Sequence, residues 1–554
     1  MPEPRIAFLT PPLIKPCEPG LSAAAAASRL RLLGVDAFAV DANAEWHAWA
    51  LCPQRLAAVL DGAGTPEDAL PAFRRALRAM QSPVPALRRA GTYRDRRRYA
   101  SAAADLQDAL RLASSPFPSF RLGVGDVEWA GRRPQRTADL EEAARSPGPF
   151  DGYFLGQLIP RLRRERITHA AVSLTFLNQA FAAFRLAALL REGLPSARLL
   201  LGGPLPACWK AAGARMGGAA FGLFDEIRAG AGDGDAEALS AGLGGRAAAA
   251  GDGEVPFAPD LPSVPWNLYL SPVPIVPAAL GRGCYWRRCA FCPDHLHPER
   301  RASRPDAVEG WLAAVADRFP GGAMVHLTDS ALPPSVLERV AETVKAGRLP
   351  IRWHGFVRVE EAFTDPGFAR HLAEGGCAML QWGIETASGR LLAMAEKGVP
   401  PERARRALRA CSAAGIKNHA FLLFGLPTET EADREETLEF VRREAGCIGD
   451  LNVSLLNLPR RSPMHDDPGS FGITELVPFH RDADLALYDD FRCGESHPRL
   501  EARRWLSRRF LRDDAVKSVL GGLNAPFKAN HSCFLPCGSG AHPDSPGRPA
   551  CKRS

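Results

Sequence analysis

Gly283-Cys284-Tyr285-Trp286-Arg287-Arg288-Cys289-Ala290-Phe291-Cys292 sets three cysteines within ten residues, directly behind an apolar stretch, Pro274 to Leu280, that reads as a buried strand. Three thiolates on one short loop can hold three irons of a cubane [4Fe-4S] cluster, leaving the fourth iron without a protein ligand. An open iron is a reaction site, whereas a cluster held by four cysteines mainly carries electrons. The same run admits a zinc reading. Cys284, Cys289 and Cys292 with His295 or His297 would make a three-sulfur, one-imidazole tetrahedral site. Structural zinc sites more often pair two knuckles, and the sequence supplies no second pair.

Outward from this loop the chain alternates apolar strands with helical stretches. Strands are expected over 275–280, 323–327, 351–356, 378–383, 419–424 and 451–456. Six βα units in a row predict a complete or partial barrel of parallel strands, here residues 274–465. Such a barrel collects its chemistry at the carboxyl ends of its strands. The cysteine loop follows the first strand. Asp329 lies just past the second, Arg358 just past the third, and Glu385 closes the fourth. Gly425-Leu426-Pro427 ends the fifth, followed by Thr428-Glu429-Thr430.

At these residues the chain resembles the radical S-adenosylmethionine (SAM) enzymes, in the subgroup with an N-terminal cobalamin-binding-type domain. The carriers are the cysteine loop, Gly383-Ile384-Glu385, Lys397-Gly398 and the segment Gly425 to Thr430. The resemblance implies a partial βα barrel and metal ligands Cys284, Cys289 and Cys292. It implies SAM chelated to the open iron and cleaved to a 5′-deoxyadenosyl radical. Phe291, Asp329, Arg358, Glu385 and Gly425 are the implied cofactor-binding residues. Arg358 and Glu385 would meet the amino and carboxylate groups of SAM, Phe291 would shield the cluster, and the Gly425 turn would admit the adenosyl part closely. The first cysteine gap holds four residues where the family usually has three. A loop absorbs one residue at small entropic cost.

Residues 1–250 predict a doubly wound α/β domain with a helical insertion at about 54–145, and 251–273, rich in Pro, Gly and Asp, a linker. Thr10-Pro11-Pro12-Leu13, Val172-Ser173-Leu174-Thr175 and Leu201-Gly202-Gly203-Pro204 resemble the cobalamin-binding domain. In a doubly wound sheet these turns lie where ligands bind. The stretch Ala229 to Asp235 stands where such domains often have a Gly-rich turn. The chain lacks an Asp-x-His-x-x-Gly motif. An irregular, mostly helical accessory segment is expected over 466–540, placed over the barrel mouth, with a disordered tail from 541 to 554. Cys533 and Cys537 form one Cys-x3-Cys pair without a second.

Net charge is +7 over 554 residues, in no single long run, so nucleic acid is not demanded. The cluster Arg94 to Arg98 reads as a solvated helix face. Thirteen cysteines, thinly spread outside the loop, suit a reduced cytoplasm. No window approaches the ~20 apolar residues of a membrane span, and the chain starts on a strand without a leader-like apolar core. The reaction implied by the resemblance is cobalamin-dependent methylation of carbon in a peptide or specialised metabolite. The electron donor would be a flavodoxin or ferredoxin. With a vestigial cobalamin domain the implied outcomes are cyclisation, thioether formation or rearrangement. Two other readings stand beside these: a non-catalytic zinc-knuckle protein, and a sulfur-inserting enzyme with a second cluster.

Overall fold

The computed structural model describes residues 4–62, 67–229, 233–245, 255–296, 301–521 and 527–536. Residues 541–554, His297, Cys537 and part of the Ala229–Asp235 stretch fall outside them. The fold is α/β with two parallel sheets.

In the N-terminal half, β1 (Arg5–Leu9) and β2 (Asp36–Val40) flank helix Leu21–Leu32. A hairpin of β3 (Phe120–Gly123) and β4 (Asp126–Trp129) sits within the helical insertion, where helical periodicity gave no sign of it. After it come β5 (His169–Ser173), β6 (Arg198–Gly202) and β7 (Glu226–Ile227). The sheet order is β2-β1-β5-β6-β7, all parallel. Its strands are almost wholly apolar because both faces are covered. Helix Ala180–Gly193 buries Phe181, Phe184, Leu186 and Leu190 on one of them.

The strand order reverses between β1 and β5, and a ligand crevice belongs at that point. Gln179 ties the two strand ends together. Its Oε1 accepts from Thr175 N and Phe176 N, and its Nε2 donates to Pro11 O. At the end of β6, Gly203 has φ of +101°, and a Cβ there would lie 2.6 Å from Leu174 O. Gly203→Ala therefore combines left-handed strain with a backbone clash, together about 2–5 kcal/mol. Gly213→Ala, at φ +75° with no neighbour within 4 Å, carries the strain alone. Denaturant unfolding of the two variants should show the Gly203 variant losing clearly more stability.

In the second half the strands are β8 (Ile275–Ala278), β9 (Gly281–Arg282), β10 (Arg301–Ala302), β11 (Ala323–Leu327) and β12 (Ile351–Val357). They continue as β13 (Cys377–Glu385), β14 (Lys417–Phe424) and β15 (Asp450–Leu455). The main sheet runs β15-β14-β13-β12-β11-β8, all parallel, so successive long strands are neighbours. Four intervening helices start on a proline: Pro305, Pro334, Pro366 and Pro401. Proline's fixed φ suits the first turn, and its missing N–H would have no helical partner there. The sheet curls, since Ile275 of β8 and Met379 of β13 share one apolar cluster with Met324 and Cys533.

The chain's last third divides in two. Strands β16 (Leu458–Pro459), β17 (Glu475–Pro478) and β18 (Tyr488–Arg492) form a small antiparallel sheet. Its Leu458, Met464, Ile473 and Phe491 pack with Ala290 and Phe291, so it lies against the cysteine loop. Residues 527–536 go to the opposite end of the barrel. Lys417, the first residue of β14, donates to Ser532 O and Leu535 O, and Ser532 Oγ donates to Asp450, the first residue of β15. The accessory segment thus covers both ends, where the sequence suggested the mouth alone. Residues 255–273 are tied down as well. Tyr269 OH donates to Asp41 at 2.6 Å and Leu270 N to Pro16 O at 2.7 Å.

Candidate active site

The cysteine loop leaves β9 and returns toward β10, which pairs antiparallel with β9. Cys284, Cys289 and Cys292 are all partly exposed and free of disulfides. Cys292 N donates to Cys289 O at 3.0 Å, closing a turn that brings the last two thiols together. Burial pushes the Cys292 thiol up to about 12. Burial also raises Cys289, opposed by the nearby charges of Lys397 and Arg358. Thiols bind metal only after losing their protons, so these need a strongly charged partner to ionise.

The fourth residue of the first gap is absorbed by a visible device. Arg287 takes a left-handed φ of +54°. Trp286 turns back, its Nε1 donating to Glu396 O at 2.9 Å and its ring lying 3.8 Å under the Arg358 guanidinium. A Cβ at Gly398 would meet that ring at 2.5 Å, so only glycine lets the indole in. Tyr285 OH donates to Glu360 at 2.8 Å. Both aromatic residues of the gap are therefore anchored on other strand ends.

Around this loop stand the other expected residues. Asp329 is buried, and its Oδ2 accepts from Leu280 N at 2.9 Å, fastening the end of β11 to the root of the cysteine loop. Arg358 donates to Glu360 at 3.0 Å and to Lys397 O at 2.5 Å, which commits two of its nitrogens to scaffold. Glu385 sits at φ +66° beside a register shift in β13 and accepts from Lys397 Nζ at 2.8 Å. A Cβ at Gly383 would come within 2.8 Å of both partners of that pair, so glycine there makes room for it. The Phe291 ring lies 5.8 Å from Lys397 Nζ. Cys284, Cys289, Cys292, Phe291, Arg358 and Glu385 are thus one neighbourhood, organised around Lys397.

Gly425 has φ of +74°, and its closest approach is to Arg499 Cα, 3.0 Å from a Cβ placed there. Its first use is to let helix Pro498–Arg508 pack on the strand end. Gly425 N donates to the buried Glu429 at 2.8 Å. Burial, against the pull of that hydrogen bond and of Arg434, lifts Glu429 from 4.5 to about 7. A raised carboxyl favours the folded state while protonated. Its contribution is full below pH 4.5 and is lost as pH rises through about 7, a swing of about 3 kcal/mol. Glu429→Gln should flatten the fall in stability across that window, read as the denaturation midpoint at several pH values.

Residues 279–441 match the family model described as the Radical SAM superfamily. The chain carries a radical SAM domain. It is 26% identical over 194 residues to an uncharacterised methyltransferase of Pyrococcus horikoshii, covering 34% of this chain and 41% of the relative. The chain thus spans about two fifths of the length of the curated relative it matches. It is also similar to the structure of the cobalamin-dependent radical SAM enzyme OxsB with aqua-cobalamin bound. That similarity is at 14% identity over 62% of this chain and 58% of that one, with a TM-score of 0.49. The methyltransferase TsrM from Kitasatospora setae, with cobalamin and a [4Fe-4S] cluster, is similar at 15% identity, 84% and 77% coverage, and a TM-score of 0.45.

The loop fits a cubane: three thiols on one segment, flanked by two cations, with a protein shell over Phe291. Among the described residues no three His, Cys, Asp or Glu side chains converge on one point. The N-terminal rim lies at the carboxyl ends of β5 and β6. The Gly202-Gly203 turn raises no side chain at the end of β6, and Phe176, past the neighbouring β5, is 54% exposed. Among the described residues no helix is long and apolar enough to cross a membrane. Sequence reasoning missed Trp286, Glu360 and the pairing of Lys397 with Glu385. These partners come from different strand ends and share no sequence spacing.

Proposed function

We propose that this protein is a radical SAM enzyme that modifies a peptide or small specialised metabolite, with cobalamin-dependent methylation of carbon as the leading outcome. The observation that carries the reading is the three-cysteine loop at the end of β8, set against Lys397, Glu385 and Arg358 within a radical SAM domain. When bound, the cluster supplies the electron that cleaves SAM to methionine and a 5′-deoxyadenosyl radical. Cobalamin, when bound, supplies a methyl group.

The chain's own residues do the holding. Cys284, Cys289 and Cys292 supply three thiolates. Lys397 offsets their negative charge and fixes the Glu385 carboxylate at the strand end. Arg358 keeps the β12 and Lys397 segments in register while stacked on Trp286. Phe291 and the small antiparallel sheet exclude water from one side of the loop. The methyl-transfer outcome draws on the similarity to the Pyrococcus methyltransferase and on the exposed N-terminal rim.

The test is anaerobic reconstitution with iron and sulfide, then incubation with SAM and a strong reductant. About four irons per chain and formation of 5′-deoxyadenosine are expected. Protein that takes zinc in place of iron and forms no 5′-deoxyadenosine would overturn the reading. About eight irons would shift it to the two-cluster, sulfur-inserting class.

A further inference from the structure

The chain's formal net charge is +7, yet residues 71–98 alone hold nine arginines and one acid, Asp95, a net of +8. The rest of the chain is close to neutral, so the positive charge is gathered on one corner of the helical insertion. That corner runs from helix Leu70–Met80 through the turns Ala86–Arg88 and Ala90–Arg94 to the start of helix Arg96–Ser114. Its inner side is fixed. Leu87, Tyr93 and Tyr99 are buried, and Tyr93 OH donates to Leu87 O at 2.8 Å. Arg75 bridges to Asp105 and Asp108, both at 2.8 Å. Arg96 donates to Pro536 O at 3.0 Å and to Gly449 O at 3.1 Å. Arg89 donates to Ser82 Oγ, and to Val84 O at 2.7 Å, which ties down the loop between the two helices.

Other arginines of this corner satisfy nothing. Among the described residues, the side chains of Arg74, Arg78, Arg88, Arg94 and Arg97 meet no hydrogen-bond or ion-pair partner. Their placement is unfavourable for the chain by itself. Arg74 and Arg78 lie one turn apart on one helix face, and like charges at that spacing repel. Arg97 and Arg98 stand with Arg96 in the first turn of a 19-residue helix, where the macrodipole disfavours cations, and no acid shares that turn. A merely solvated face interleaves both signs. Charge that destabilises its own helices and finds no partner within the chain marks a surface kept for a partner.

That partner is anionic, and the surroundings narrow its class. Phe73, Tyr93 and Tyr99 are buried, so no ring of this corner is free to stack on bases. Helix Leu70–Met80 turns its apolar side, Phe73 and Ala76, into the insertion's own core, so that side is not free to enter a bilayer. Val84, 45% exposed, adds an aliphatic contact among the cations. Through Arg96 the corner abuts Gly449, directly before β15, so it lies at the amino end of the barrel, opposite the cysteine loop. That position excludes a carrier that must pass an electron to the loop. The chain's own residues 537–554 are no match, with one acid, Asp544, against Arg548, Lys552 and Arg553. We propose that this corner docks an acidic peptide segment, its carboxylates on Arg78, Arg94 and Arg97 and an aliphatic side chain on Val84. On the radical SAM reading, on which this last step alone rests, the segment is the recognition part of a peptide substrate. β14 spans eight residues, roughly 26 Å of strand, so at least about eight extended residues separate the docked segment from the residue modified at the cysteine loop.

The test is fluorescence anisotropy of a fluorescein-labelled synthetic peptide, glutamate-rich with a central leucine pair, titrated with the full-length protein. The peptide should bind, and binding should weaken steeply from about 0.05 to about 0.5 M salt. Arg78→Gln, Arg94→Gln and Arg97→Gln together should weaken it about tenfold or more. The circular dichroism spectrum should not change, because none of the three side chains bonds within the described chain. Val84→Ser should weaken the leucine-bearing peptide and leave an all-glutamate peptide unaffected. Equal affinity in the triple variant, or an equal loss from the distant set Arg339→Gln, Arg370→Gln and Arg504→Gln, overturns the proposal. So does tighter binding of a single-stranded oligonucleotide or of phosphatidylglycerol vesicles, or a dimer that the triple change dissolves. Formation of 5′-deoxyadenosine is scored separately: a reconstituted protein that binds the peptide and forms none overturns the radical reading and not the docking surface.

Discussion

Replacement of Cys284, Cys289 and Cys292 together by alanine is expected to abolish iron binding and reduce 5′-deoxyadenosine formation to background, while the chain still folds. Each part follows from the geometry. The three thiols are the only cysteines on that loop, and they are partly exposed, so trimming them opens no deep cavity. The loop also has supports that do not involve sulfur. Trp286 is held by Glu396 O and the Arg358 face, Tyr285 by Glu360, and Ala290 N donates to Ala395 O. Arg358 and Lys397 keep their carboxylate partners when the thiolates go. Iron analysis, far-ultraviolet circular dichroism and product formation check the three parts separately. A variant that retains iron would move the cluster elsewhere in the chain. A variant that unfolds would mean that the metal, and not these anchors, holds the loop.

The sequence was most legible where one local rule sufficed. All six long strands of the barrel begin and end within about two residues of their apolar runs, because a strand covered on both faces must be apolar throughout. Arg358 and Glu385 stand beside the cysteine loop and Asp329 fastens its root, since a parallel sheet puts every carboxyl end on one side. Two kinds of feature were hidden. The β3–β4 hairpin lies inside a stretch rich in Ala, Arg and Leu, and its strands are four residues each, too short to interrupt the helical pattern. Partnerships across the fold were also hidden. Glu18 and His326 are 308 residues apart, and Lys417 and Leu535 are 118 apart. Nothing local marks either residue as half of a pair. Arg358 is the instructive middle case. Its position was read from the strand end and its Glu360 partner is two residues away, but its other hydrogen bond goes to Lys397 O, 39 residues on, which only the folded chain brings within reach.

Lys397→Met should be strongly destabilising and should weaken SAM binding, whereas Lys397→Met with Glu385→Gln should recover most of the stability and little of the binding. Lys397 and Glu385 form a buried pair at 2.8 Å, with side-chain exposures of 8% and 16%. Removing one partner of such a pair leaves an uncompensated charge, typically at a cost of 3–5 kcal/mol, while neutralising both costs far less. The site sharpens this asymmetry. Burial works against the Lys397 ammonium, yet Glu385 and then Cys289 hold its basicity above the ordinary value. In the methionine variant the Glu385 carboxylate would face the thiolates with no intervening cation, at a residue already held at φ +66°. Its simplest relief is to take up a proton or swing out, and either leaves β13 without its register at Gly383. Glutamine at 385 removes the charge and keeps the shape, so stability returns. The site would still lack both the cation and the carboxylate that face the cysteine loop, so affinity for SAM should not return with it. Denaturation midpoints and calorimetric titration with SAM on the two singles and the double close the cycle. Equal loss of stability in the single and the double would show that Lys397 acts through packing, and full recovery of SAM affinity in the double would remove the pair from the binding site.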